Sequence, residues 1–478
     1  MSKIFKLFID ENIKTWKKFS TKLALVIIIL SLVGVLALVK IIEKLDESYS
    51  SGVSYYEYDF KEDLQSQIDL YKNMLNEEGL TQSEKKDIQI QIERCEMFIK
   101  YDINQYYDYW KRDLVYEITE LKSQDNNEKE IAKLIDILDK DDFTQYIELE
   151  KESAKKDLDD KRISQKEYDD KILILDLQLK NEIGKTLESL YWKKWVLSKI
   201  QVFQQSLRTG IDYSTGKILT VEKKQEYEDK IKLYVYRIEN DACPIEYVEN
   251  VNREMFEVMA SMFVTSVIAI FAMIIAGGAI SSEKSTGTIK FWALTPNKRW
   301  KILTAKILSL MFYIILITLL MAILTAVASN IFFETEGINY LYIKDGNVEK
   351  IENTAFIIQY YFAKIIPVVI FAIFALMLSV VTQNTAVAVS LSVATYMGNS
   401  IAMAIINTFV KKDWVKFIPF NNLNIADKIF PYFENPIQIF STGSSNTISL
   451  QFSVIVLAVC AVLMFVTAYD SFNNRDII

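Results

Sequence analysis

Histidine is absent from the 478 residues, and that absence removes His-based catalytic triads, HExxH zinc sites, His/Cys metal clusters and histidine phosphotransfer. Cysteine is nearly absent too. Cys95, Cys243 and Cys460 are the three present, at separations that fit no metal-ligand spacing. Cys460 falls in an apolar run and reads as membrane packing. Cys95 and Cys243 share one compartment under the topology given below. Free thiols are expected there, with a Cys95–Cys243 disulfide as the alternative. No phosphate-binding glycine loop is present either. The nearest approach, Gly184-Lys185-Thr186, would need a glycine where Leu179 stands.

What the sequence has instead is apolar length. Leu23 to Ile42 is apolar apart from Lys40, close to the ~20 residues a helix needs to cross hydrocarbon. Its length and the charges of Lys40, Glu43 and Lys44 mark a retained span rather than a cleaved signal peptide. Further runs at Val258–Ile280, Ile307–Phe332, Phe356–Val381, Ala386–Val410 and Phe452–Ala468 bring the number of crossings to six.

Charge sets the orientation. The first 22 residues carry Lys3, Lys6, Lys14, Lys17, Lys18 and Lys22 against Asp10 and Glu11, and the positive-inside bias places them in the cytoplasm. The loop after the second span, with Lys284, Lys290, Lys298, Arg299, Lys301 and Lys306 against Glu283, agrees. Lys411, Lys412 and Lys416 fall on the opposite side under this topology and oppose it. Phe5, Phe8, Ile9, Ile13, Trp16 and Phe19 recur at helical spacing, which reads as an amphipathic helix in the cytoplasmic interface.

Residues 43–255 hold 33 Lys and Arg against 48 Asp and Glu, a charge of −15, so against −8 for the whole chain the remainder carries +7. An acidic block of this kind argues against nucleic acid as a partner and suits a solvated domain outside the membrane. It is poor in glycine and proline and periodic at helical spacing, as in Ile88, Ile92, Cys95, Ile99 and in Ile172, Leu175, Leu179, Ile183. Thr81 with Glu84, and Ser164 with Glu167, fit the capping-box spacing, and Thr220 opens a similar segment. Helical hairpins in a coiled-coil-like bundle or stalk are expected, with the aromatics around Trp110 and Trp195 packed between them.

The expected architecture is therefore an all-α polytopic membrane protein. It comprises a cytoplasmic amphipathic helix (1–22), a first span (23–42), an extracytoplasmic helical domain (43–255), a second span (256–280) and a cytoplasmic loop (281–306). Four more spans lie within 307–468, with outer loops at 333–355 and 411–450, and a cytoplasmic tail (469–478) follows. Lys364 reads as snorkelling to the interface. Asn399 and Asn407 in the fifth span either line a translocation path or bond between helices, and packing is the expectation.

The loop is the most informative segment. Thr295 and Pro296 suit the cap and first turn of a helix that runs through Arg299, Lys301 and Lys306 into the third span. Gly287 allows a tight turn. Ile289, Phe291, Trp292 and Leu294 set apolar bulk on a cytoplasmic loop, and the residues alone leave two partners open for it: the lipid interface or another protein.

The loop resembles the first cytoplasmic loop of type 2 ABC exporter permeases. Glu283, Gly287-Thr288, Leu294-Thr295-Pro296, Lys298-Arg299 and Lys306 occupy that family's pattern, and the ending Phe472-Asn473-Asn474-Arg475-Asp476-Ile477 is similar to the family's. The resemblance covers the membrane part and not residues 43–255, whose size departs from compact members. It implies a permease subunit of the bacterial plasma membrane with no catalytic residue, metal or cofactor of its own. Cytoplasmic ATPase subunits would carry ATP and Mg, pair with two permease subunits in a homodimer or heterodimer, and push on Glu283, Gly287, Thr288, Phe291, Trp292, Leu294, Thr295, Pro296, Lys298, Arg299 and Lys306. Export of an amphipathic or peptide-like substrate follows from the same resemblance. A non-transporting envelope scaffold or receptor with a helical ectodomain is the competing expectation.

Overall fold

The computed structural model describes residues 3–52, 60–77, 79–104, 109–123, 128–185, 191–244, 253–288, 298–333, 339–410, 412–433 and 448–474. These residues are almost entirely helical and include six helices long and apolar enough to cross a membrane: Phe19–Leu45, Arg253–Gly277, Arg299–Phe332, Asn353–Thr382, Thr385–Phe409 and Leu450–Asn473. The chain divides into two compact units. One holds residues 1–49, 248–342 and 349–478; the other holds 50–247 and 343–348.

In the first unit the second and fourth spans pack along each other through small residues, with Ala260, Ala269, Ala272 and Ala276 facing a core that also contains Ala372 and Ala375. Small side chains let two backbones approach where no hydrophobic effect drives helices together. At Gly277 a Cβ would lie 2.7 Å from Val389 Cγ2 and 3.3 Å from its backbone nitrogen, so the fifth span closes on the second at a point where only hydrogen fits. The fourth span is the most enclosed. The first, fifth and sixth present apolar faces outward, among them Leu30, Val33, Leu391, Ile401, Val462 and Leu463. Between the last two spans, 3-10 turns at Asp413–Phe417 and Pro419–Asn422 and a short helix at Ile425–Ile429 replace any long helix.

The second unit contains eight helices among the described residues: α3 (Phe60–Leu75), α4 (Gln82–Lys100), α5 (Tyr109–Ser123), α6 (Glu128–Lys140), α7 (Phe143–Asp159), α8 (Gln165–Lys180), α9 (Tyr191–Thr209) and α10 (Val221–Glu239). Successive helices pack on one another. Two cores form, however, rather than one coiled-coil seam. Leu64, Phe98, Trp110, Leu114, Ile137 and Ile147 fill the first; Ile174, Leu177, Ile200, Phe203, Tyr227 and Ile238 fill the second. Trp110 meets Phe143 edge-on and Tyr146 at a tilt, and Trp195 meets Tyr234 edge-on; Trp110 is buried and Trp195 half-buried. Tyr55, Tyr56, Tyr58, Tyr106 and Tyr107 lie outside the described residues.

Helix ends follow from local chemistry. Thr81 and Glu84 close a complete capping box, Thr81 Oγ1 accepting from the Glu84 amide at 3.3 Å and Glu84 Oε2 accepting from the Thr81 amide at 2.7 Å. Ser164 and Thr220 supply the hydroxyl half, each accepting the amide three residues on. At the other ends, α4, α6, α7, α8 and α10 stop in one way. Asp102, Asp141, Lys161, Glu182 and Asp241 adopt φ between 50° and 59°, and the next amide reaches back five residues, from Ile103 to Phe98, Asp142 to Ile137, Arg162 to Asp157, Ile183 to Gln178 and Ala242 to Arg237. This closure satisfies carbonyls that a helix end leaves open.

One short element departs from the outer loop expected at 333–355. Tyr340–Lys344 and Asn347–Ile351 pair as a two-stranded sheet where a loop was expected. Asp345 and Gly346, at φ 51° and 83°, form the two-residue turn whose twist suits a hairpin, and the Tyr342 hydroxyl donates across it to Glu349 at 2.6 Å.

Candidate functional site

The site is built where the N-terminal helix, the loop after the second span and the start of the third span meet. α1 (Lys3–Lys17) lays Leu7 against Ile302 and Ala305, while Phe8 meets Phe312 edge-on and Trp16 packs on Tyr313. Of the stripe read in the sequence, Phe8 and Trp16 join that contact face. Phe5, Ile9, Ile13 and Phe19 remain exposed, so α1 has one apolar face on protein and another left open.

On the protein-facing side α1 carries Glu11. Its carboxylate accepts from Lys306 Nζ at 3.0 Å, and the same ammonium donates to Glu283 at 2.9 Å. Lys14 lies 3.2 Å from Glu11 and 3.7 Å from Glu283. The Lys306 side chain is 4% exposed and that of Glu11 9%. An ammonium buried to this extent costs several kcal/mol of lost hydration unless it is paired and hydrogen-bonded, and the two carboxylates offset that cost from two different segments. Burial opposes the charge on Glu11, but Lys306 and Lys14 outweigh it and hold the carboxyl below its ordinary range.

The loop begins with the short helix α12 (Ser281–Ser285). The Ile280 and Ser281 amides donate to Ser379 Oγ at 3.3 and 3.1 Å, and Ser281 Oγ pairs with Thr385 Oγ1 at 2.7 Å. Lys284 donates to the Gln383 side chain. Glu283 is thus anchored to the turn between the fourth and fifth spans. Gly287 takes φ +71°, and Thr288 Oγ1 returns to the Glu283 carbonyl at 3.1 Å, closing the turn. Phe291, Trp292, Leu294, Thr295 and Pro296 lie outside the described residues, and with them the proposed cap. The helix of the third span is described from Arg299, with Lys298 at its N-cap making no side-chain cap bond. Arg299 donates to the Asn473 carbonyl at 2.9 Å, a cation at the free carbonyls of the sixth span's last turn.

Of the residues singled out in the sequence, the structure joins Glu283 to Lys306 directly and sets Gly287 and Thr288 one turn away; Arg299 binds elsewhere. Sequence reasoning missed Glu11, Lys14, Ser281, Ser379, Gln383 and Thr385. Glu11 alone carried a signal, as an acid among lysines aligned with Leu7 at i, i+4.

A second buried cluster also went unread. Arg253 donates to Glu257 at 3.0 Å and to the Asn330 and Asn353 side-chain oxygens at 2.9 and 3.0 Å, and Asn353 returns a bond to Glu257 at 2.7 Å. Asn407 pairs reciprocally with Asn421 at 2.9 and 3.1 Å, and Asn399 donates to the Tyr396 carbonyl of its own helix. Lys364 Nζ stands 5.1 Å from the Tyr360 ring centre. Cys95 is buried, Cys243 exposed and Cys460 half-buried.

Residues 231–478, just over half the chain, match the family described as "Protein of unknown function (DUF2705)". Over 258 residues the chain is 28% identical to the "Uncharacterized protein YhcI" of Bacillus subtilis (strain 168), a match covering 53% of this chain and 77% of that relative. The family match takes in the second to sixth spans and the loop that holds Glu283 and Lys306, and on its extent the chain belongs to the DUF2705 family.

Proposed function

We propose that the chain is the membrane permease subunit of a bacterial ATP-driven exporter of the type 2 ABC class, carrying a large helical domain outside the cell. One observation supports this most: Lys306 joins Glu11 of the N-terminal helix to Glu283 of the loop that the resemblance assigns to ATPase contact. A displacement of that loop acts through one buried ammonium on α1 and on the third span together. In this reading α1 lies at the cytoplasmic face of the plasma membrane with Phe5, Ile9 and Ile13 in lipid, and both termini are cytoplasmic. The acidic helices 60–239 are extracytoplasmic. ATP and Mg belong to a partner ATPase, two permease subunits assemble, and the cargo is amphipathic or peptide-like.

The test is purification of the tagged chain from its native membrane. An ATPase is expected to accompany it, and Glu283→Ala is expected to lower nucleotide-driven export while the protein stays folded. A chain isolated with no ATPase, and indifferent to scrambling of residues 287–298, would instead be an envelope scaffold.

A further inference from the structure

The helical unit formed by residues 50–247 carries a cleft of about 460 Å³ among α7, α8 and α9. This is within the size range of small-molecule sites, and its floor is shared with the cores, by Ile174 of the second and by Tyr146 and Leu175 at the edge of the first. Glu150 of α7, Gln178 of α8, and Gln201 and Gln205 of α9 line it. Glu150 and Gln178 are half-buried and Gln201 and Gln205 are exposed at the rim, and none of the four side chains has a hydrogen bond or ion pair among the described residues. Opposite them, Asp170 and Arg208 neutralise each other.

Glu150 decides the ligand's charge. It is half-buried, and burial disfavours its anion, as does the neighbouring Asp113 carboxylate. Glu117 of α5 stands in the same negative surroundings and is itself pushed up by burial and by Glu150. The facing cation is Lys171, whose ammonium sits 3.9 Å from Asp157 on the helix preceding it and lowers Glu150 only as the lesser influence. A half-buried carboxylate whose facing cation is shared with Asp157 is only partly compensated, and a cation entering the cleft would complete that compensation. The three free carboxamides offer both donors and acceptors beside it, so the complementary molecule bears hydrogen-bonding groups around its positive charge.

We propose that this cleft binds a primary ammonium group on a polar scaffold, with Glu150 as counter-ion and Gln178, Gln201 and Gln205 as hydrogen-bonding partners. A lysine-bearing peptide and an amino sugar share this chemistry. The proposal does not depend on the transport reading.

The test is calorimetric titration of the full-length chain in nanodiscs with trilysine, with a glucosamine trimer, and with the N-acetylated form of each. At least one amine is expected to bind, its acetylated form is not, and whichever amine binds identifies the source. Glu150→Gln is expected to weaken that binding about tenfold, the worth of one hydrogen bond to a charged group. It should leave the thermal transition unchanged or raised, because it removes an unpaired charge. Four outcomes overturn the proposal: no binding of either amine at millimolar concentration, equal binding of the acetylated forms, wild-type affinity in Glu150→Gln, or a lowered transition in that variant, which would make Glu150 a structural residue.

Discussion

Lys306 has two carboxylate partners, from α1 and from the loop, and its removal is not equivalent to removal of either one. Lys306→Met leaves the buried Glu11 and the half-buried Glu283 with Lys14 and Lys18 as the remaining cations nearby. It is expected to lower stability by about 3 kcal/mol, at the low end for breaking a buried pair, as read by thermal unfolding in detergent. Glu11→Gln and Glu283→Gln each leave the ammonium one partner and should cost less. Because they share that ammonium, the double variant should depart from the sum of the singles in a mutant cycle. Acid acts on the same contact. The Glu11 carboxyl is held lower in the folded protein than its ordinary 4.5, so its contribution is fully present above that value and is lost as pH falls through the lower folded-state value. Limited proteolysis should find α1 equally protected at pH 7 and pH 5 and progressively released below about pH 4.5. Release already complete at pH 5 would contradict the assignment.

At the scale of elements, part of the structure was plain in the sequence. The six apolar runs needed only length and hydropathy, and Thr81–Glu84 needed only a spacing. The shared helix endings were hidden because the residue that takes positive φ is Asp, Lys or Glu rather than glycine, and nothing local distinguishes Asp102 from Asp87 on paper. Strain at these residues gives a direct check: an L-residue in the left-handed region costs about 1 kcal/mol relative to glycine. Asp102→Gly is therefore expected to stabilise the helical unit by up to that amount in chemical denaturation. The hairpin at 340–351 could have been read, since Asp345-Gly346 between Tyr340-Leu341-Tyr342-Ile343 and Val348 is a recognised two-residue turn signal; set between two long apolar runs, the segment passes for no more than the outer loop 333–355. The joining of Glu283 to Glu11 through Lys306 could not be read, because no local rule links residues so far apart. Gly277 was equally mute. Gly277→Ala should cost about 1–3 kcal/mol by overpacking against Val389, and Val389→Ala in the same chain should recover most of it.

For the whole molecule, the two compact units make separable expectations. A chain in which residues 51–247 are replaced by a short flexible linker is expected to insert, to keep α1 protected through Lys306, and to keep the proposed ATPase partner, while losing the proposed amine binding altogether. Loss of the ATPase from that variant would place the partner contact outside the loop at 281–306.

The link between Glu11 and Lys306 spans 295 residues, and this separation has a consequence for synthesis. At ribosomal rates of 5–20 residues per second, α1 waits about 15–60 s for the lysine that completes its contact. Throughout that wait Glu11 has Lys14, three residues on, as a cation from its own helix. Lys14→Ala is therefore expected to reduce the yield of correctly inserted chain in pulse-chase experiments far more than it reduces the thermal stability of the chains that do mature, a difference that would mark Lys14 as a residue needed for assembly rather than for the finished protein.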